Sequence, residues 1–300
     1  MTIGRITDAV KKGVLVSDGA WGTFLQQKGL KPGECPELWC VDRYGEVREI
    51  AEIYIKAGAD MVGTNTFGAN FFKLSHYGLE DRVFEINEAA ARASREAAGE
   101  DIWVIASIGS TGKLLVTGEV TESELYDAFR IQATALEKGG ADAVCIETMM
   151  DMGEAVQAIR ATKENTKLEI ICTFTFDRTA RGEFRTMMGA FPEEAVLAAI
   201  DAGADIVGTN CSNGSSQMIE IVRQIKKPVG RVPVIVQSNA GIPVSSNGSI
   251  IYPETPEETG LAAAKLFETG ANIVGGCCGT TPEHIRAIRI AADNFNRGIK

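Results

Sequence analysis

Three cysteines are placed so that they could bind one soft metal ion. Cys277 and Cys278 are adjacent in a glycine-rich turn after an apolar run, and Cys211 occupies the equivalent place one repeat earlier. Three thiolates can hold zinc with one coordination position open, which is typical of catalytic rather than structural zinc. The alternative is that they are buried cysteines, which behave as small hydrophobic residues. The repeat that contains them favours the metal site.

This repeat consists of four similar segments, each joining a predicted helix to an apolar strand. In each segment a glycine ends the helix, and Ala-Asp or Ala-Asn then leads into the strand; glycine at this place is typical of a left-handed helix cap. The segments are 57–65, 139–147, 202–210 and 269–277. The helices predicted before them are 47–56, 122–138, 192–201 and 256–268.

Four further apolar strands are predicted between the segments, at 14–18, 102–106, 168–175 and 232–237. Strands without polar alternation are typical of parallel strands buried on both faces. Eight strands alternating with helices predict an α/β fold of the (β/α)8 TIM barrel type. A doubly wound open sheet is the alternative, but it does not account for the fourfold repeat. Because no linker-like segment interrupts the pattern, we predict a single barrel domain over residues 1–300.

The predicted strand ends matter most, because TIM barrels carry their chemistry there. These ends are polar, acidic and rich in sulfur: Asp18, Asn65, Ser107, Glu147, Thr173, Asn210, Cys211, Gln237, Asn239, Cys277 and Cys278. They include no lysine for a Schiff base and no arginine for a phosphate clamp. Two other interpretations stay open at this point. One is a phosphate-binding turn at 275–279 in a lyase or isomerase barrel, and the other is a non-catalytic zinc-bound interaction barrel.

Composition narrows the partners and the compartment. The formal net charge of -10 argues against nucleic acid and anionic membrane surfaces as partners. The sequence has no apolar stretch that predicts a membrane span, and its first ten residues lack a secretory signal pattern. The seven cysteines, an odd number, are typical of a reducing compartment, so we predict a cytoplasmic protein. With only two histidines, a histidine-rich metal site is excluded.

An open zinc site with three cysteine ligands has a restricted chemistry. The thiolates make the ion electron-rich, so it is a poor Lewis acid for water. It still deprotonates an incoming thiol and leaves the resulting thiolate nucleophilic. The predicted reaction is therefore alkyl transfer to a thiol.

Several motifs together resemble the homocysteine S-methyltransferase family, and the resemblance covers nearly the whole chain. They are Asp18-Gly19-Ala20-Trp21-Gly22-Thr23, Thr64-Asn65-Thr66-Phe67-Gly68-Ala69, Glu147-Thr148, Asn210-Cys211-Ser212, Asn239-Ala240-Gly241 and residues 275–285. The chain looks most like the homocysteine-binding zinc module of cobalamin-dependent methionine synthase. The resemblance implies a (β/α)8 barrel in which homocysteine accepts a methyl group and becomes methionine.

The same resemblance implies a role for particular residues. One Zn2+ per chain is held by Cys211, Cys277 and Cys278, which form the catalytic centre. Asp18 and Glu147 hold the amino group of homocysteine, as two carboxylates on one rim attract an ammonium. The backbone N–H groups of the Gly19-Ala20-Trp21-Gly22 loop meet the substrate carboxylate. Three asparagines, Asn65, Asn210 and Asn239, are expected to orient loops or ligands, and the alternative for each is a structural role only.

The methyl donor is less sharply defined by the resemblance. Gly68 follows Thr66-Phe67 where the betaine-using branch of the family has an aromatic residue. A quaternary ammonium would lack its aromatic cage, which argues against betaine. Because the chain resembles the cobalamin-dependent branch, we predict a methylcorrinoid carried by a separate protein. S-methylmethionine or S-adenosylmethionine as donor, and another small thiol as acceptor, are the alternatives.

Overall fold

The computed structural model describes residues 3–246 and 249–298. Its strands in chain order are β1 (Leu15–Val16), β2 (Met61–Val62), β3 (Trp103–Ile108), β4 (Ala143–Met149), β5 (Glu169–Phe174), β6 (Asp177–Arg178), β7 (Phe184–Arg185), β8 (Ile206–Gly214), β9 (Val234–Asn239), β10 (Val244–Ser246), β11 (Ser249–Ile251) and β12 (Ile273–Gly276). Within the described residues, eight of them form one parallel sheet in the order β1-β12-β9-β8-β5-β4-β3-β2. A parallel bridge between Ser17 and Met61 joins β1 to β2 and closes the sheet. The predicted (β/α)8 TIM barrel is confirmed.

Most helices follow a strand and cover the outside of the barrel, whereas the first helix precedes all the strands. They are α1 (Ile6–Ala9), α2 (Trp21–Gln27), α3 (Trp39–Asp42), α4 (Tyr44–Lys56), α5 (Phe71–Ser75), α6 (Val83–Ala98), α7 (Glu122–Lys138), α8 (Met152–Asn165), α9 (Pro192–Ala202), α10 (Ser215–Val229), α11 (Pro256–Thr269) and α12 (Pro282–Gly298). The predicted bounds of α7 are confirmed, and α4 begins earlier than predicted. In the described part of the chain, no helix is both long enough and apolar enough to cross a bilayer.

The glycines of the fourfold repeat have the left-handed conformation that the sequence predicted. The backbone φ angles are 101° at Gly58, 99° at Gly140, 115° at Gly203 and 108° at Gly270. Glycine adopts this region without the steric penalty of a Cβ atom. Each of the four helices can therefore stop and turn directly into the next strand.

The acidic or amide residue of each repeat ties two neighbouring strands together. Its side-chain oxygen accepts a hydrogen bond from a backbone N–H group at the start of the neighbouring strand. The pairs are Asp60 with Val16 (2.8 Å), Asp142 with Val104 (2.8 Å), Asp205 with Ile170 (3.0 Å) and Asn272 with Val234 (3.0 Å). The fourth repeat carries asparagine without losing the contact, because an amide oxygen accepts as a carboxylate oxygen does. The repeat thus satisfies backbone donors at the amino end of the barrel.

The amino half of the barrel is closed and filled. Helix α1 lies across it, and the N–H groups of Ile6 and Thr7 donate to the carboxylate of Glu169 at 2.5 and 3.1 Å. Apolar side chains of successive strands fill the interior above α1: Met61, Ile105, Ala143, Cys145, Ile171, Ile206, Ile235 and Ile273. Open space therefore lies at the carboxyl end of the strands. Two hairpins that the sequence pattern did not predict, β6–β7 and β10–β11, extend the loops after β5 and β9 there.

Candidate metal centre and substrate cavity

The structure brings the three predicted cysteine ligands together at the carboxyl end of the barrel. The Sγ atom of Cys278 lies 3.9 Å from that of Cys211 and 4.0 Å from that of Cys277. All three sulfurs lie within 4.8 Å of one another. Cys211 belongs to β8, and the other two cysteines follow directly after β12. The strand order of the barrel therefore converts a large sequence separation into one sulfur cluster.

This sulfur cluster fits a tetrahedral zinc ion. With Zn–S bonds of about 2.3 Å, the sulfurs of a tetrahedral site lie about 3.8 Å apart, close to the separations from Cys278. The turn is held by the backbone, since the N–H of Cys277 donates to the carbonyl of Ser238 at 2.7 Å. The amide oxygen of Asn239 is buried and has no hydrogen-bond partner in the described part of the structure. The possible metal ligands are thus three thiols, and the amide oxygen of Asn239 on the neighbouring strand β9 makes no hydrogen bond in the described part of the structure.

The cluster also favours a thiolate in the absence of metal. Hydrogen bonds from the thiols of Cys211 and Cys277 hold the pKa of Cys278 well below its ordinary value. Hydrogen bonds to Cys211 and to Cys278 raise the pKa of Cys277, which is the donor in both. A cation at this position would relieve the repulsion among the sulfurs and favour deprotonation of all three.

Asp18 is a buried carboxylate with a fixed orientation. Its side chain is only 3% exposed, and its Oδ2 accepts the indole N–H of Trp21 at 2.8 Å and the backbone N–H of Gly63 at 2.7 Å. Burial raises the pKa of Asp18 to about 6, and these hydrogen bonds oppose the rise. A buried carboxylate with a raised pKa gains from a cationic ligand, which replaces the lost solvation.

Glu147 is the second carboxylate at this end of the barrel. The hydroxyl of Ser107 donates to its Oε1, and the amide of Asn210 donates to its Oε2 at 3.4 Å. Burial raises the pKa of Glu147 to about 7, and the negative charges of Asp18 and Cys278 add to the rise. Two acidic groups that hinder each other's ionisation favour one shared cation.

Both carboxylates and all three cysteines line one cavity of about 430 Å³. The predicted site residues along its wall are Asp18, Gly19, Ala20, Trp21, Asn65, Glu147, Cys211, Cys277 and Cys278. Asn239, also predicted, lies on β9 and is not part of this wall. None of the described lining residues is a lysine, arginine or histidine. The charged residues of the wall are therefore acidic, which suits a ligand with a positive group.

A model of the homocysteine S-methyltransferase family matches residues 15–292 of the sequence. The chain belongs to this family. Methionine synthases from Mycobacterium tuberculosis (strain ATCC 25618 / H37Rv) and Mycobacterium leprae (strain TN) are each 33% identical to it, over 97% and 98% of the chain. The chain spans only about a quarter of their length, at 26% and 25%.

The fold of this family member also resembles a solved structure. The metallated form of the homocysteine methyltransferase MmuM from Escherichia coli superposes with a TM-score of 0.78 and 20% identity. The alignment covers 95% of this chain and 98% of that one. This similarity shows that the two share the barrel fold.

The loop at 19–22 differs in one respect from the sequence expectation. The N–H of Ala20 already donates to the hydroxyl of Thr280 at 3.1 Å. Trp21, which begins α2, has its indole N–H engaged with Asp18. Ala20 is therefore not a free donor for a substrate carboxylate, and any such contact has to use other groups of the loop.

The structure adds Tyr252 to this family member's site, a residue that the sequence analysis did not select. Tyr252 follows the β10–β11 hairpin, and its ring packs on the turn after the cysteines: a Cβ atom at Gly279 would lie 2.1 Å from its Cγ. Its hydroxyl donates to Cys278 and lowers the pKa of that thiol. No motif marks Tyr252, because only the folded hairpin brings it to the sulfur.

Glu37 is a second site residue that the sequence analysis did not select. It is buried, lines the same cavity, and accepts the N–H of Gly68 at 2.8 Å. The thiol of Cys35 donates to it at 3.4 Å, and burial raises the pKa of Cys35 to about 11. Cys40 is also buried, and its thiol donates to the carbonyl of Asn65 at 3.3 Å. These two cysteines are held as neutral thiols away from the sulfur cluster.

Proposed function

We propose that the chain is a zinc-dependent methyltransferase that moves a methyl group onto the thiol of homocysteine and forms methionine. The observation that carries this proposal is one cavity that contains three clustered cysteine sulfurs, the buried carboxylate of Asp18 and the partly buried carboxylate of Glu147. Family membership and similarity to methionine synthases support the same reaction. We also propose that residues 1–300 act as a single barrel domain.

In this proposal Cys211, Cys277 and Cys278 hold one Zn2+ per chain. When bound, the ion supplies a thiol acceptor in its deprotonated, nucleophilic form at neutral pH. The protein supports the cysteines from outside: the backbone of Ser238 fixes Cys277, and Tyr252 donates to Cys278. Such outer contacts orient ligands and tune their charge.

The two carboxylates orient the amino acid part of the substrate. An ammonium placed between Asp18 and Glu147 would compensate the burial of both acids, so each would be ionised in the complex. Trp21 and Gly63 donate hydrogen bonds to the carboxylate of Asp18, and Ser107 donates one to the carboxylate of Glu147. Because these contacts already fix the two carboxylate side chains, little side-chain rotation is lost when the substrate binds. A substrate held by its ammonium group would then have its thiol near the sulfur cluster.

We propose a methylcorrinoid on a separate protein as the donor. In this transfer the bond between the methyl carbon and the homocysteine sulfur would form as the bond between that carbon and cobalt breaks. Both electrons of the broken bond would stay on cobalt, and the acceptor thiol would lose its proton. Exposed apolar side chains on the segments that follow β2, β5 and β9 favour a macromolecular partner: Phe67 (44%), Met187 (61%), Ile242 (51%) and Ile250 (71%). The net charge of -10 favours a partner with a basic face.

The proposal is tested by metal analysis and by a side-by-side assay of methionine formation. Zinc-loaded protein is incubated with homocysteine and, separately, a methylated corrinoid protein, methylcobalamin, S-methylmethionine, S-adenosylmethionine or betaine. We expect turnover with the corrinoid donors. Turnover with a sulfonium donor alone would replace the donor and leave the acceptor chemistry intact. A zinc-loaded protein that methylates no thiol with any donor would favour a non-catalytic zinc barrel.

A further inference from the structure

Asn210 lies between the two halves of the proposed site. It is fully buried on β8 and directly precedes Cys211. Its side chain reaches across β5 to the end of β4, where Glu147 and Thr148 lie. Asn210 therefore touches the carboxylate half of the cavity and is covalently joined to the sulfur half.

Every hydrogen-bonding position of the Asn210 amide is occupied. Its Oδ1 accepts the backbone N–H of Thr148 at 2.8 Å and the hydroxyl of Thr173 at 2.8 Å. Its Nδ2 donates to the hydroxyl of Thr148 at 2.7 Å and to Glu147 at 3.4 Å. A side-chain amide offers two acceptor and two donor positions. The backbone N–H of Thr148 can only donate, which fixes which end of the amide is oxygen.

The backbone around Asn210 is strained on both sides of this contact. Among the described residues, the non-glycine residues with left-handed φ angles are Thr148 (58°), Cys211 (60°) and Ser212 (56°). This conformation is unfavourable for a β-branched residue such as threonine and persists only where the surroundings enforce it. Asn210 enforces it at Thr148 through both the backbone and the hydroxyl, and Thr175 donates to the hydroxyl of Ser212 at 2.7 Å.

We propose that Asn210 is a positioning residue that fixes the distance between Glu147 and Cys211, and so selects thiols by chain length. This inference rests on the proposed function. Homocysteine has one methylene group more than cysteine between its amino-bearing carbon and its sulfur. With the distance fixed, a thiol whose ammonium lies at Glu147 reaches the sulfur cluster only if its chain has the longer length. Cysteine is too short to reach the sulfur cluster, because the hydrogen bonds of Asn210 prevent Glu147 and Cys211 from moving closer together.

The test compares the binding of homocysteine and cysteine to zinc-loaded protein by calorimetry. A difference of one methylene group is worth about 10- to 200-fold in specificity, so we expect the wild type to favour homocysteine within that range. Asn210→Ala removes all four side-chain contacts and should reduce the ratio of the two dissociation constants by about tenfold or more. Thr173→Val removes one contact, keeps the shape of the side chain and should reduce the ratio less.

Asn87→Ala is the matched control. Asn87 is also fully buried, and its amide donates to the carbonyls of Ala69 at 2.8 Å and Val83 at 2.7 Å, outside the cavity. The control should be less stable but bind the two thiols in the wild-type ratio, and zinc content should stay at the wild-type level in every variant. If Asn210→Ala does not fold, the ratio of the two dissociation constants in Thr173→Val tests the proposal.

Two results would overturn the inference, and they are distinguishable. If the wild type favours homocysteine but the variants weaken both thiols by the same factor, Asn210 is a general structural residue and the proposed function stands. If zinc-loaded wild-type protein binds neither thiol, the proposed function fails together with the inference.

Discussion

The Sγ atoms of Cys211 and Cys278 lie 3.9 Å apart although the residues are 67 positions apart in the sequence. They meet because β8 and β12 are both neighbours of β9 in the barrel. The carboxyl ends of parallel strands lie at one rim, so Cys211 in the carboxyl half of β8 and the two cysteines that follow β12 face a common space. The metal centre is thus a consequence of strand order, and its loss should follow from the loss of either partner.

Replacing a cluster cysteine should remove the metal. We expect about one zinc per chain in the wild type and little in Cys277→Ser or Cys278→Ser, because a serine hydroxyl does not deprotonate as a thiol does. Cys35→Ser and Cys40→Ser are the controls and should keep their zinc. Metal analysis of the purified proteins makes the comparison. Full zinc occupancy in a Cys211→Ser, Cys277→Ser double variant would rule out the site.

Replacing either cavity carboxylate should weaken homocysteine binding and leave zinc in place. Loss of a charge-assisted hydrogen bond costs about 1.5–3 kcal/mol, so Asp18→Asn and Glu147→Gln should each raise the dissociation constant accordingly. Titration calorimetry of the zinc-loaded variants measures the effect. 4-Mercaptobutanoate, which lacks the amino group, is the control ligand and should bind the variants as it binds the wild type. Unchanged homocysteine affinity in both variants would remove the ammonium role.

The raised pKa of Glu147 should make the metal-free protein less stable as the pH rises. The folded pKa of about 7 lies above the ordinary glutamate pKa of 4.5, so between these values the folded state binds more protons than the unfolded state. Stability from this group is therefore full below the unfolded pKa and is lost as the pH passes the folded pKa. Relative to wild type, Glu147→Gln should gain free energy of unfolding from pH 4.5 to 7 and then level off. Urea unfolding across this range tests it, and a pH-independent difference would contradict the burial of this charge.

A side chain at Gly208 should destabilise the barrel. A Cβ atom there would lie 1.9 Å from the backbone oxygen of Ile235 on the neighbouring strand. We expect Gly208→Ala to lower the free energy of unfolding by about 1–3 kcal/mol, since overpacking forces the backbone to shift. Gly45→Ala is the control, because an added Cβ atom in α4 meets no atom within 4 Å and should stabilise the helix by about 0.5–1 kcal/mol. Equal stability of both variants would show that β8 and β9 can separate without cost.

Sequence patterns predicted the barrel well because its repeat encodes local chemistry. A glycine cap followed by an apolar strand recurs at Gly58, Gly140, Gly203 and Gly270, and these two features act within a short stretch of chain. The strand ends follow from the spacing of these features, and the sequence alone therefore predicts Asp18 as a residue at the carboxyl rim of the barrel. Most of the predicted site residues do lie on one cavity wall.

Features that depend on contacts between distant segments could not be predicted in this way. Tyr252 reaches Cys278 only through the fold of a hairpin, and Thr280 takes up the N–H of Ala20 from the far end of the chain. The left-handed backbone at Thr148 has no signal in its residue type, which disfavours that conformation. It depends on the amide of Asn210, two strands away in the barrel.

Whether the sulfur of homocysteine joins the three cysteine sulfurs is measured by X-ray absorption at the zinc edge. Zinc-loaded protein is examined alone and with saturating homocysteine, and homoserine, which has a hydroxyl in place of the thiol, is the control ligand. We expect three sulfur neighbours at zinc in the protein alone and with homoserine, and four with homocysteine. An unchanged sulfur count with bound homocysteine would contradict a zinc centre that activates the acceptor thiol.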